Sequence, residues 1–307
     1  MARSMTSYYE KVNMDNPMAY ELPLYIVNVA AMCFHLGFAL AAVITGSRNG
    51  GMSTPRLSLY LSETTWDNNT ATIDSSVRFD FSPSYRKLEN GLPLTWITVG
   101  FFAVSAMAHA VVVVNGPPRD TRNSCRFCYD YYSYIESCQN PLRWIEYSFS
   151  ASLMILGLSY TSGIRDVYLL ITLTVLSFTT MIFGWITERL SSVHEGEDGK
   201  SCYVKPFRAR IFPHLLGYIP FTCIWFVLFH SFYHNTSDLE SEMPEFVYVL
   251  VHVQMVIFSC FALVQLIQQY SSPINYWKGE LAYSVLSIAA KGYLGATLIV
   301  NVFLISS

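Results

Sequence analysis

The chain has 307 residues, of which 52% are hydrophobic and 13% charged, with a formal net charge of −3. An average soluble domain carries about 25% charged residues, and without a basic excess nucleic acid is not an expected partner. The apolar residues gather in long runs rather than at a period of 2 or 3.6, which is the pattern of a polytopic helical membrane protein in a lipid bilayer.

Residues 1–23 are mixed polar and lack the apolar core of a signal peptide. Seven apolar runs follow, at about 24–46, 94–115, 141–161, 164–187, 209–232, 245–270 and 279–304. The fold expected is an all-α membrane protein, a seven-transmembrane helix bundle, with residues 1–307 as a single domain. The third run opens on Asn140-Pro141, an N-cap residue followed by proline at the first helical position. Thr161-Ser162-Gly163 is so short a connection that the third and fourth helices must be antiparallel neighbours. Pro213 and Pro220 predict a kink in the fifth.

Lysine and arginine in the loops set the orientation. One side holds Arg3, Lys11, Arg119, Arg122, Arg126, Arg189, Lys200, Lys205, Arg208, Arg210 and Lys278, and the other holds Arg165 and the basic residues of the long loop 47–93. The sequons at Asn68 and Asn235 fall on that second side. A multi-pass protein with a cytoplasmic N-terminus and an extracellular C-terminus is expected. Within loop 47–93, Leu57, Leu59 and Leu61 alternate with polar residues, as do Val77, Phe79 and Phe81. A two-stranded β-ribbon with one apolar face fits, covering the bundle's outer mouth or a second protomer.

The cysteines sort by depth. Cys33, Cys223 and Cys260 lie within runs, where packing is the simplest reading. Cys125, Cys128, Cys138 and Cys202 lie on the inner side, where four thiols are a candidate zinc site and free thiols the simpler alternative. The nearby Tyr129-Asp-Tyr-Tyr-Ser-Tyr134 reads most simply as an interfacial aromatic belt.

One lysine stands out. Lys291 is the only charged residue after Glu280, and a charged lysine at mid-membrane costs about 2.5–3.5 kcal/mol on insertion scales. Lysine is also the side chain that forms Schiff bases with aldehydes once it loses its proton. It needs an anion, and Glu146 is the acid best placed within a run; Arg143, one turn before Glu146, is a competing partner. Ser150 shares that face with Glu146, and Ser287 lies one turn before Lys291. Ser105 with His109 on the second run, and Asn28 with His35 on the first, add inward polar stripes. Most of these groups sit on the inner side of centre, together with Asn140 and Glu188. They predict a wet cavity reaching the lysine from the cytoplasm, with a nearly sealed outer half where His230 and His252 are the deep polar groups.

A lysine midway along a seventh helix with a carboxylate on the third resembles a retinal-binding rhodopsin. The motif Arg143-Trp-Ile-Glu-Tyr-Ser-Phe-Ser-Ala-Ser152 resembles the third helix of the heliorhodopsin family, as do the inverted topology, the ribbon-sized loop, Ser105 with His109, His35, and Ser287 four before Lys291. The resemblance implies all-trans retinal on Lys291 with Glu146 as counterion and Ser287 and Ser150 as neighbours of the Schiff base. It makes His35 and His109 candidates for receiving the proton. Asn28, Asn140, Arg143 and Glu188 would line the inner cavity. Met154 falls in the chromophore pocket, and Phe258 and Phe261 stand where ordinary microbial pumps place a tryptophan. Gly157 occupies the usual position of a pump's proton-donor carboxylate. A homodimer and an unidentified cytoplasmic partner are implied, and no enzymatic activity is expected. The function expected is light sensing with a slow photocycle, and light-driven or light-gated proton transport is the alternative. Light regulation of a bound soluble enzyme or of lipid movement is the third reading that the resemblance implies, and a non-photochemical seven-helix protein, with Lys291 in a structural ion pair, is the fourth.

Overall fold

A computed structural model describes residues 7–10, 18–48, 56–57, 59–67, 80–88, 92–116, 130–195, 201–237 and 245–304. Seven long helices dominate: α1 (Met18–Arg48), α2 (Leu94–Asn115), α4 (Pro141–Thr161), α5 (Val167–Ser191), α6 (Phe207–Ser237), α7 (Glu245–Tyr270) and α8 (Tyr276–Leu298). A short helix, α3 (Tyr131–Glu136), precedes α4, and a π-helical turn, Ile299–Leu304, extends α8. The chain runs up and down through the bundle. We call the end where α1 begins the near end and the opposite end the far end.

Six of the long helices are long and apolar enough to cross a membrane. The seventh, α4, carries Arg143, Glu146 and four serines, yet Arg143, Glu146, Ser148, Ser150, Ser152 and Ser159 are all buried. On the faces of α4 that other helices cover, polar groups do not have to satisfy lipid and can face one another. The other helices turn apolar side chains outward, among them Leu40, Met107, Val175, Phe226, Val256 and Val285, each more than half exposed. Such a belt needs an apolar solvent.

The start of α4 shows how sequence sets the geometry. Asn140 accepts the Arg143 backbone N–H through its side chain at 3.2 Å, and Pro141 occupies the first turn, where its missing N–H costs nothing. At the other end of α4, Gly163 adopts φ 93°, a left-handed conformation that suits glycine and reverses the chain toward α5. Helix α6 continues through both Pro213 and Pro220.

The far half is an apolar core in which Leu94, Phe101, Ile155, Leu158, Leu228, Leu250, Leu294 and Leu298 pack together. A second apolar cluster closes the near end, built from Tyr20, Leu24, Val112, Tyr131, Tyr132, Ile135, Cys138 and Tyr276. This corrects the expectation of an interfacial belt at 129–134. Tyr131 and Tyr132 are buried, and α3 lies across the bundle as a cap. Tyr132 Oη donates to the Glu21 carbonyl at 3.1 Å and Tyr20 Oη to Glu136 Oε1 at 2.8 Å. Tyr129 is outside the described residues.

Three small sheets decorate the ends. At the near end β1 (Ser7–Glu10) and β6 (His194–Glu195) flank β7 (Ser201–Val204), all antiparallel. In the 47–93 loop, β2 (Arg56–Leu57) pairs with β5 (Leu92–Pro93) and β3 (Tyr60–Asp67) with β4 (Asp80–Lys87), the latter from Tyr60↔Lys87 to Asp67↔Asp80. The base of the β3–β4 pair is tied to the bundle's far mouth. Tyr60 N donates to the Arg165 carbonyl at 3.1 Å, and buried Leu59 joins the apolar core. Asn68, Val77 and Phe79 lie outside the described residues.

The cysteines differ from expectation. Cys33 and Cys223 are exposed on the outer faces of their helices rather than packed, and Cys260 is half-buried. Cys125 and Cys128 are outside the described residues, and among those described no group of three metal-ligating side chains occurs. Cys138 is buried, its Sγ 3.6 Å from the Pro273 carbonyl, and burial pushes its thiol up to about 12. At neutral pH it stays protonated, which makes it a poor nucleophile and a poor metal ligand.

Candidate functional site

The polar groups predicted from sequence come together in the layer between the two apolar clusters. Lys291 on α8 is 2% exposed and meets Glu146 on α4: its Nζ donates to Glu146 Oε1 at 2.9 Å and to Ser287 Oγ at 2.7 Å. The four-residue spacing puts Ser287 and Lys291 on one face of α8. Glu146 Oε1 also accepts from Ser105 Oγ at 2.5 Å and Ser150 Oγ at 2.8 Å. Ser105 and Ser150 therefore serve the carboxylate rather than the amine. Hydrogen bonds of this kind to a carboxylate are stronger than those between neutral groups.

Asn28 and His109 form a separate pair, His109 Nδ1 to Asn28 Oδ1 at 2.7 Å. His35 is fully buried and stacks on His109 with centroids 5.5 Å apart. Neither ring nitrogen of His35 has a hydrogen-bond partner among the described residues.

Arg143 does not pair with Glu146. Its guanidinium reaches across to Glu188 on α5 and Glu280 on α8, bonding one carboxylate with each terminal nitrogen. Asn140 supports both acids: its backbone N–H donates to Glu188 Oε1 at 2.6 Å and its Nδ2 to Glu280 Oε2 at 2.7 Å. Tyr276 Oη donates to Glu188 Oε2 at 2.8 Å. The guanidinium also stacks 3.9 Å from the Tyr283 ring centroid. Glu280 was missed as a partner because it lies near the end of its run. The signal was its spacing, seven residues before Ser287 and so on the same face of α8 as Lys291.

This arrangement changes the expected inner cavity. A polar cavity does lie toward the near end, lined by Glu188, Gln265, Gln269, Arg210, Ser191 and Tyr276 among others. Arg143 and Asn140 are bonded to the Glu188 that borders it, while Asn28 and His109 sit with α1 and α2. The polar groups are thus a set of bonded clusters under the α3 cap rather than the walls of one channel. Of the far-half histidines, His230 is exposed and stacks on Phe226, and His252 is held by Tyr248 O and Tyr233 Oη at 2.7 and 2.9 Å.

A second cavity opens directly beside Lys291. Its walls include Met154, Phe258 and Phe261, and also Trp144, Tyr147, Tyr218, Phe221 and Tyr283. Small-molecule sites are likewise mostly apolar with a few polar groups. Gly184 keeps one wall thin, because a Cβ there would overlap the six-membered ring of Trp144. Gly184→Ala is expected to destabilise the protein by about 1–3 kcal/mol through overpacking. Thermal unfolding reads this, and an unchanged midpoint would show that Trp144 has room to move.

The fold is shared with microbial rhodopsins. Cyanorhodopsin from the cyanobacterium Tolypothrix sp. superimposes with a TM-score of 0.57 at 11% identity, over 94% of this chain and 96% of that one. The transmembrane domain of the Salpingoeca rosetta rhodopsin phosphodiesterase gives 0.56 at 13%, over 94% and 85%. The light-driven proton pump of Coccomyxa subellipsoidea gives 0.58 at 13%, over 90% and 96%. At these identities the likeness establishes fold alone. No curated protein matches the sequence. The heliorhodopsin family model matches residues 24–303, and the chain belongs to the heliorhodopsin family, whose members are retinal-binding membrane rhodopsins.

Proposed function

We propose that the protein is a light sensor with all-trans retinal on Lys291, Glu146 as its counterion, and a signal delivered at the near end. The observation that carries this is the placement of Lys291 Nζ, 2.9 Å from Glu146 Oε1 and on the wall of an apolar, aromatic cavity. When bound, retinal supplies light absorption and a change of shape. Everything else falls to the chain's own side chains. Glu146, fixed by Ser105 and Ser150, holds the proton on the lysine nitrogen. Ser287 orients that nitrogen. His35 and His109 stand by, on the α1–α2 side, as groups to which the proton can pass and from which it can return.

Sensing is favoured over transport by the one-sided distribution of these groups. The far half is closed by an apolar core, and Gly157, three turns beyond Glu146, offers no carboxylate. The basic residues of the sequence support the near end as cytoplasmic. The β3–β4 pair at the opposite mouth is the surface proposed for a homodimer, and the α3 cap is the proposed contact for a cytoplasmic partner.

The test is a photocurrent measurement in voltage-clamped cells with bound retinal verified spectroscopically. Negligible current is expected, and a robust current abolished by Glu146→Gln would overturn the sensor reading. The same variant tests the counterion. Gln keeps the shape of the carboxylate without its charge, so at neutral pH the protonated pigment should give way to a near-ultraviolet form. At low pH the visible band should return at a longer wavelength than in the native protein. A low-pH spectrum identical to the native one would mean that another anion serves.

A further inference from the structure

The wall of the chromophore cavity across the bundle from Lys291 carries two polar side chains that the proton chemistry leaves unused. His214 on α6 and Gln265 on α7 both line it, and both are more than nine-tenths buried. Gln265 Nε2 donates to the Gly184 carbonyl at 2.8 Å. That bond fixes the amide's orientation and turns Gln265 Oε1 to His214 Nδ1, at 2.9 Å. An amide oxygen only accepts hydrogen bonds, so Nδ1 must carry the imidazole hydrogen. His214 Nε2 is then a bare acceptor. It is buried and has no hydrogen-bond partner among the described residues. Tyr218 meets the His214 ring edge-on, with centroids 5.3 Å apart and planes at 90°, and does not bond it.

A buried acceptor without a donor is costly, and the hydrocarbon ring of retinal has no donor to offer. We propose that the cavity is shaped for a retinal whose ring bears a hydroxyl group, with that O–H donating to His214 Nε2. His214 is then a specificity-determining residue, and Gln265 positions it by fixing its tautomer. The inference rests on Lys291 as the attachment site. It also has a sign. A ring ketone would set one acceptor against another, so an oxo group on the ring is disfavoured where a hydroxyl is preferred.

Competition decides it. Apoprotein is given equimolar mixtures of retinal with 3-hydroxyretinal, 4-hydroxyretinal or 4-oxoretinal. The bound chromophores are released as oximes and quantified by chromatography. At least one hydroxyretinal is expected to be enriched about threefold to tenfold over retinal, the range of a single neutral hydrogen bond, and 4-oxoretinal to be depleted. In His214→Phe both preferences should vanish while a visible band persists. Gln265→Leu, which frees the tautomer, should weaken both preferences and serves if the first variant fails to fold. Equal uptake by the native protein, or an enrichment that survives both variants, overturns the proposal and leaves water as the donor to Nε2. Absence of a visible band with every chromophore would instead overturn the Lys291 reading.

Discussion

Lys291→Ala is expected to abolish the visible absorption of retinal-treated protein completely. A Schiff base requires a primary amine within the cavity, and Lys291 is the only lysine among the residues that line it. Lys278, the nearest lysine in sequence, precedes it by about three and a half turns of α8, stands toward the near end, and lies against the Trp277 ring. No other amine can substitute, so the loss is total rather than partial. The variant strips Glu146 of its cationic partner but leaves Ser105 and Ser150 on the carboxylate. Some destabilisation therefore accompanies the spectral loss, and circular dichroism separates the two. A preformed Schiff base of retinal with a short alkylamine should restore a visible band in the folded variant, because cavity and counterion are intact. A visible band in Lys291→Ala without added amine, or none in the native protein, would end the retinal reading. The second outcome would leave the Lys291–Glu146 contact as a structural ion pair.

The parts of this site that were legible in the sequence are those where polarity breaks an apolar run at helical spacing. Lys291 with Ser287, and Glu146 with Ser150, are four residues apart, and the structure brings all four together. The boundaries of α2, α4 and α7 follow from the same contrast between run and loop. Pairings between helices were not legible in this way. Local spacing offered Arg143 the nearby Glu146, yet its guanidinium spans three helices to Glu188 and Glu280, because bundle geometry decides which inward faces meet. His214 and Gln265 were missed because an uncharged polar residue barely dents the hydropathy of its run. The α3 cap was missed for another reason. Six residues are fewer than two turns, too few to show a period, and its tyrosines resemble those of a membrane interface. The four-residue β1 is equally silent, since its partner β7 lies almost two hundred residues away.

The largest stability effect is expected from Arg143. Replacing it with Gln leaves Glu188 and Glu280 facing each other in a layer closed by apolar clusters at both ends. Breaking a buried ion pair from one side typically costs about 3–5 kcal/mol, and here one substitution strands two carboxylates. Arg143→Lys should rescue little, because an ammonium is a point charge and cannot present two separate nitrogens to two acids as the planar fork does. Removing an acid is different. The cluster has two carboxylates to one guanidinium, and Arg210 borders the cavity that Glu188 lines. Glu280→Gln leaves the Arg143–Glu188 pair intact and a side chain still able to hydrogen-bond, so it should cost much less than Arg143→Gln. The double variant should be more stable than Arg143→Gln alone, because like charges no longer oppose each other. Rates of thermal bleaching for the pigment and its three variants provide the cycle. If Arg143→Gln bleaches no faster than the native pigment, the two acids are not held ionised by Arg143. If the double variant is the least stable of all, Glu280 contributes through packing rather than charge.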